Sequence, residues 1–285
     1  MRKFAFILFI LITAFATTKS HAQIIVRDDS IARFDADSLR YAYDKGPYFS
    51  FYKDNYFIFG PPIGPKPTVE NTNVKFQISF QQKLTRSTLP WNTYLYLFYT
   101  QKCFWNVLQN SLPMTDLNFN PGIGIARPFF STRTGQYVGK AFFSIEHESN
   151  GRGGEASRSW NRITLGGSVF IDKNIMVSGK FWIPIIDGEH NKDILKYCGI
   201  YQTGVQFMTD NRRIGVSVVL TKRMDLNPFH NNLELNFKWR LSPNANQYLF
   251  VQYYNGYGEG LLAYKEHHSS LRIGICLSPM FFSEF

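Results

Sequence analysis

The chain has 285 residues, 31 Lys and Arg against 21 Asp and Glu for a formal charge of +10, and an aromatic content of 17% that includes 27 Phe and 16 Tyr. Its basic residues are scattered, which excludes a nucleic-acid surface of the basic-patch kind. Its three cysteines, Cys103, Cys198 and Cys276, are odd in number and far apart, which excludes a disulfide framework or thiolate metal site and leaves packed free thiols.

In chain order, Arg2 and Lys3 precede an apolar run from Phe4 to about Phe15, and small residues follow around Ser20 and Ala22. That is the pattern of a secretory signal peptide over residues 1–22, cut after Ala22. An uncleaved membrane helix fits less well, because the run falls short of the ~20 apolar residues that cross a bilayer. Export removes nucleic acid as a partner, and anionic head groups or solubility account better for the positive charge. Residues 23–46 then form a periplasmic or lumenal N-terminal segment ahead of a domain over 47–285.

Past the signal no stretch of 18 apolar residues remains, so a helical span is excluded and a closed barrel is the membrane solution left. Period-two segments recur as VKFQISFQQKL (74–84), TYLYLFYTQKCF (93–104), FNPGIGIARPFFS (119–131), VGKAFFSIEHES (138–149), WNRITLGGSVFI (160–171) and IMVSGKFWIPI (175–185). They continue as YCGIYQTGVQFMT (197–209), RIGVSVVLTKR (213–223), NNLELNFKWRLS (231–242), QYLFVQYYNGYG (247–258) and SSLRIGICLSPMF (269–281). Each matches the ~9–11 tilted residues of a membrane strand. All three cysteines fall inside these predicted strands.

A soluble β-sandwich also alternates, but three features favour the barrel. Connectors switch between short (132–137, 172–174, 209–212, 242–246) and longer (105–118, 150–159, 187–197), as periplasmic turns and extracellular loops do. Aromatics crowd the strand ends, and the chain finishes on Phe285, which resembles the insertion signal of bacterial outer-membrane barrels. Parity requires one more strand, and PYFSFYKDNYFIFG (47–60) supplies it. The expected fold is all-β, a twelve-stranded antiparallel transmembrane β-barrel of the bacterial outer membrane, with loops 105–118 and 150–159 on the extracellular rim.

Strand 138–149 carries Gly139, Ala141, Phe143, Ile145, His147 and Ser149 on one face and Lys140, Ser144, Glu146 and Glu148 on the other. The polar face reads as the lumen, so His147 and Ser149 extend the lipid-facing stripe, about 6.6 Å apart along the strand. Asn161 joins them from the returning strand, where it shares a face with Ile163, Leu165, Val169 and Ile171. Such polar groups are costly towards lipid unless paired, used, or at head-group level. As a catalytic set, Ser149 would attack an ester carbonyl, His147 would take its proton and Asn161 would hold the imidazole tautomer. A polar girdle at the membrane rim is the other reading.

At these residues the chain resembles outer membrane phospholipase A. The match is H-x-S-N-G-R…S-R-S-W-N-R from His147 to Arg162, supported by YTQKCFW (99–105), LPMTDLNFNP (112–121), KYCGIYQ (196–202) and YYNGYGEGLLAY (253–264). The resemblance implies a twelve-stranded barrel, calcium-dependent hydrolysis of phospholipid acyl esters at either glycerol position, and activity gained by homodimerisation in the membrane. By matching position it implies Ser149 as nucleophile, His147 as base, Asn161 as its partner and the Gly151 amide as oxyanion donor. For calcium it points to the carbonyl of Arg152, the hydroxyl of Ser157 and, from a neighbouring subunit, the carbonyl of Ser111, an oxygen set that suits a hard cation. Gln101 matches a polar residue at the family's dimer face; an ordinary lumen or interface glutamine is its alternative. The loop departs from the family where Gly154 takes an acidic place and Glu155 follows. A narrow porin or a catalytically inactive structural barrel would share the fold, and intact His147, Ser149 and Asn161 argue against both.

Overall fold

The computed structural model describes residues 35–185, 190–243 and 245–279. The signal peptide, the first half of segment 23–46 and the terminal Phe285 lie outside the described residues.

Helix α1, Ala36–Asp44, is capped by Asp35, whose carboxylate accepts from the Ser38 amide at 3.0 Å. It rests on the end of the barrel that carries the short turns. Tyr43 Oη meets Tyr96 Oη at 3.1 Å, Lys83 Nζ donates to the Tyr43 carbonyl, and the Asp44 carboxylate accepts from Ser87.

The strands are β1 (Phe49–Phe51), β2 (Asn55–Gly60), β3 (Asn73–Lys83), β4 (Tyr94–Trp105), β5 (Met114–Phe130), β6 (Tyr137–Ser149) and β7 (Ser159–Asp172). They continue with β8 (Ile175–Ile185), β9 (Tyr201–Met208), β10 (Ile214–Lys222), β11 (Asn231–Arg240), β12 (Gln247–Gly256) and β13 (His268–Leu277). β1 and β2 both pair antiparallel with β3, from Phe49↔Gln82 to Gly60↔Asn73, so they are one strand interrupted at Tyr52–Asp54. Every other pair is a sequence neighbour, and β13 returns to β2. The result is a closed antiparallel barrel of twelve strands, as parity predicts.

Alternation decides which way each side chain faces. On β6, Phe143 and Ile145 are exposed on the outer wall while Ser144 and Glu146 are buried inside; β10 repeats the pattern with Ile214, Val216, Val218 and Leu220 outward and Ser217 inward. A continuous apolar outer wall around a polar interior is the surface of a membrane barrel, since water would not tolerate that band. No described helix is long and apolar enough to cross a membrane.

Four of the interior carboxylates are paired with cations. Arg162 bridges Glu146 (2.8 Å) and Glu148 (2.5 Å), and Glu259 receives Lys75 (3.1 Å) and Arg272 (2.7 Å). Lys238 pairs with Asp54. Each bridge offsets desolvation that an isolated buried ion would not survive.

Two boundaries differ from expectation. β5 begins at Met114, so most of the C-terminal half of the expected loop 105–118 is strand and the connector is only 106–113. Its extra inward residues hold the long β12–β13 connector over the lumen: Asp116 Oδ2 accepts from the Leu262 amide at 2.9 Å and Asn118 Oδ1 from Leu261 at 3.1 Å. β9 begins at Tyr201, and Cys198 lies in a short helix, α2 (Leu195–Cys198), rather than in a strand. The apolar residues of that connector serve a lid: Ile194 and Leu195 pack with Trp160, Trp182, Leu261 and Tyr264. Alternation there imitates a strand because the connector buries one side. The cysteines are free, as composition implies.

Candidate active site

The β6–β7 hairpin sets His147 directly opposite Asn161 and Ser149 opposite Ser159, and β5 sets Phe119 opposite Ser149. His147, Ser149 and Phe119 therefore share the outer wall, at the rim that carries the longer connectors. Their alternates point inward, where the Glu146–Arg162–Glu148 bridge stiffens the same two strands from the lumen side.

His147 Nδ1 lies 2.8 Å from Asn161 Oδ1. An amide oxygen can only accept, so Nδ1 carries the ring proton and Nε2 presents a lone pair. Ser149 is half-buried one strand repeat further along the same face. No hydrogen bond joins its hydroxyl to His147 among the described residues. Such contacts are often long before substrate arrives, and the shared face keeps the two within reach by side-chain rotation.

The loop that follows is held by asparagines. Asn150 is only 2% exposed; its Oδ1 accepts from the amides of Arg152 (3.3 Å) and Arg158 (3.0 Å), and its Nδ2 donates to the Ala156 carbonyl (2.8 Å). The fully buried Asn191 accepts from the Ser159 amide (3.2 Å) and donates to the Ser159 carbonyl (2.8 Å). Asn120 Nδ2 donates to the His147 carbonyl at 2.9 Å from inside the barrel. None of these three was singled out from sequence, because their partners are backbone groups that pattern does not reveal.

Gly151 sits at φ +64, and a Cβ there would lie 2.9 Å from the Phe119 ring. Glycine is needed for the backbone angle and for the close approach of the ring. The Arg152 amide is committed to Asn150, whereas the Gly151 amide has no acceptor among the described residues. It is a free donor beside Ser149, the requirement for stabilising developing negative charge.

The oxygens expected at a cation lie on two neighbouring connectors. Arg152 is exposed and its guanidinium donates to the Thr115 carbonyl at 2.7 Å, tying the loop after β6 to the start of β5. Ser157 closes the 3-10 turn Gly154–Ala156, its amide donating to the Gly154 carbonyl at 2.9 Å. Ser111 is exposed at φ 66 in connector 106–113. Glu155 points into solvent, 3.5 Å from His190 Nδ1. No group of three or more His, Cys, Asp or Glu converges among the described residues, so a cation in this region would depend on carbonyl and hydroxyl oxygens.

Gln101 resolves to the outer wall rather than the lumen, between its odd-numbered neighbours on β4. Its Oε1 accepts from Tyr99 Oη at 2.9 Å and its Nε2 donates to Cys103 Sγ at 3.4 Å.

The chain matches the model of a family described as Phospholipase A1 over residues 50–277. It is 31% identical to a phospholipase A1 of Proteus vulgaris over 216 residues, covering 73% of this chain and 70% of that one. The corresponding enzyme of Escherichia coli K12 is 29% identical over 211 residues with the same coverage. Among solved structures, outer membrane phospholipase A from Escherichia coli superposes with a TM-score of 0.72 at 25% identity, over 83% of this chain and 95% of that one. A Salmonella typhi outer membrane phospholipase dimer with bound calcium superposes equally well, over 88% and 99%.

Proposed function

Because the chain belongs to the phospholipase A1 family, we propose that it is a calcium-dependent enzyme of the bacterial outer membrane that hydrolyses acyl esters of glycerophospholipids at either glycerol position, and of lysophospholipids. The observation that carries the reading is the His147–Asn161 hydrogen bond on the outer wall of the barrel, one strand repeat from Ser149. A base with its tautomer fixed has no structural use facing lipid, and facing lipid is where an acyl ester is met.

In this reading the Ser149 hydroxyl attacks the ester carbonyl as His147 Nε2 accepts its proton. Asn161 keeps the Nδ1 proton in place, so the imidazolium forms without reorientation. The Gly151 amide donates to the tetrahedral oxyanion. Collapse expels the glycerol alcohol, which takes the proton back from Nε2, and a water activated by the same nitrogen releases the fatty acid. The porin alternative loses weight because the interior is crossed by ion pairs and covered by the apolar lid.

The oxygen donors fit a calcium ion: the carbonyl of the exposed Arg152 and the Ser157 hydroxyl on one loop that Asn150 holds rigid, with no converging His or Cys group among the described residues to favour a softer ion. The Ser111 carbonyl of a second copy completes the set, which makes a homodimer the ion's full binding site. Held by these oxygens, calcium would supply positive charge that favours the developing oxyanion. The N-terminal 22 residues are proposed as the export signal and 47–285 as the enzyme domain.

Refolded protein in detergent micelles, given a phospholipid with distinguishable acyl chains, is expected to release both fatty acids with calcium and neither with chelator. Unchanged release by Ser149→Ala would sink the chemistry.

A further inference from the structure

Inside the barrel lies a cavity of about 220 Å³ whose wall includes Lys53, Lys102, Asn118 and Trp160. Its carboxylates are engaged: Glu146 and Glu148 by Arg162, Glu259 by Lys75 and Arg272, Asp54 by Lys238, while Glu234 accepts from Asn236 Nδ2 at 2.9 Å. Two ammonium groups are left over among the described residues. Neither Lys53 Nζ nor Lys102 Nζ makes an ion pair or hydrogen bond; the Tyr52 ring lies 5.7 Å from Lys53 Nζ, and the Glu146 and Glu148 carboxylates, already held by Arg162, face the two lysines only at longer range.

Register brings these two cations to one patch of wall. Lys102 stands opposite Gln77 on β3 and Asn118 on β5. Gln77 Nε2 in turn holds the carbonyl of Asp54, next to Lys53, at 2.8 Å, and the Lys53 amide donates to Ser79 Oγ on the same strand. Two N–H donors on the cavity wall are also buried and unpaired: Asn118 Nδ2 and Trp160 Nε1, each in a side chain 2% exposed. Buried donors without acceptors are rare, and the half-buried Lys53 and Lys102 ammonium groups add unpaired positive charge beside them. Gln202 Oε1 and Thr164 Oγ1 on the same wall lack partners too; both can accept from water, and the volume has room for water and an ion together.

We propose that this interior cavity binds a small inorganic anion of halide size, held by the ammonium groups of Lys53 and Lys102 with the Asn118 and Trp160 N–H groups as further donors. The site is separate from the outer wall and does not depend on the ester-hydrolysis reading. A lipid phosphate does not compete for it, because a closed ladder of strands stands between bilayer and cavity.

The full chain, refolded in detergent micelles, is melted while gluconate is exchanged for bromide at constant ionic strength. Wild type is expected to gain roughly 5 °C or more as bromide passes to about a hundredfold above its dissociation constant. Lys53→Gln and Lys102→Gln should each cut the gain by half or more, the double variant should abolish it, and Lys102→Arg, which keeps the charge, should retain it. Crystals of wild type grown in bromide supply a test that needs no variant: an anomalous peak between Lys53 and Lys102. No bromide-specific gain in wild type, a gain kept by the double variant, or an anomalous map with no peak in the cavity overturns the proposal.

Discussion

In the proposed mechanism His147 serves as base only while its Nδ1 proton has an acceptor, and Asn161 is a neutral one, so it orients without adding charge. Ser149→Ala and His147→Ala are therefore expected to lower turnover by roughly 10³-fold or more with the barrel still folded, and Asn161→Ala by a smaller factor, because nucleophile and base act as a unit. Steady-state kinetics on heat-modifiable, folded protein checks the ranking. Gly151→Ala meets both a strained backbone angle and the Phe119 ring, so it should cost activity far more than melting temperature. If Gly151→Ala hydrolyses at the wild-type rate, its amide has no part in the oxyanion site. The face shared by His147, Ser149 and Asn161 was legible in the sequence because strand parity is rigid: a residue two positions on points the same way. Asn150, Asn120 and Asn191 were not, since each binds main-chain groups brought near only by folding.

At the scale of elements, the strands read well where one side meets lipid and the other a polar lumen, and poorly where a connector buries one side against a lid. The connector with α2 is such a case, and its polar edge yields a pH dependence. Asp193 accepts from Tyr264 Oη at 2.5 Å and pairs with Lys265 at 2.9 Å. Partial burial works to raise the Asp193 pKa, but those two donors outweigh it and hold the carboxyl below its ordinary value; burial and Asp193 push Tyr264 up to about 12. A depressed carboxylate stabilises the lid above the unfolded-state pKa, near 4, and the contribution is lost as pH falls through the lower folded value. Amide exchange in 190–200 should accelerate as pH drops below about 4, after correction for the intrinsic rate, and Asp193→Asn should flatten that response. A variant that keeps the wild-type profile would remove the lid linkage. The loop after β6 offers a topological check, as Glu155 is almost fully exposed. Glu155→Cys should react with an impermeant maleimide on intact cells, and labelling confined to breached cells would reverse the proposed orientation.

For the whole molecule, the proposed calcium site spans two copies, so ion and self-association must be linked: an ion that prefers the dimer strengthens the dimer by the same factor. Ser157→Ala removes a side-chain oxygen and should raise the calcium needed for half-maximal activity several-fold. Ser111→Ala should change it little, because the carbonyl stays. Equal shifts in the two, or cross-linking that ignores chelator, would end the shared-site model.

The interrupted first strand has a mechanical consequence. β2 meets β13 over five rungs, Asn55↔Leu277 to Phe59↔Ile273, where β12 and β13 share ten. Backbones there run close, since a Cβ on Gly274 would sit 2.0 Å from the Phe57 carbonyl, and Ser278 and Lys238 knot the near end to Asp54. A short seam flanked by a break is the place where a zipper parts: pulled from its N-terminus in a bilayer, the chain should yield β1 and β2 as a separate first force step, leaving ten-rung neighbours to resist the next.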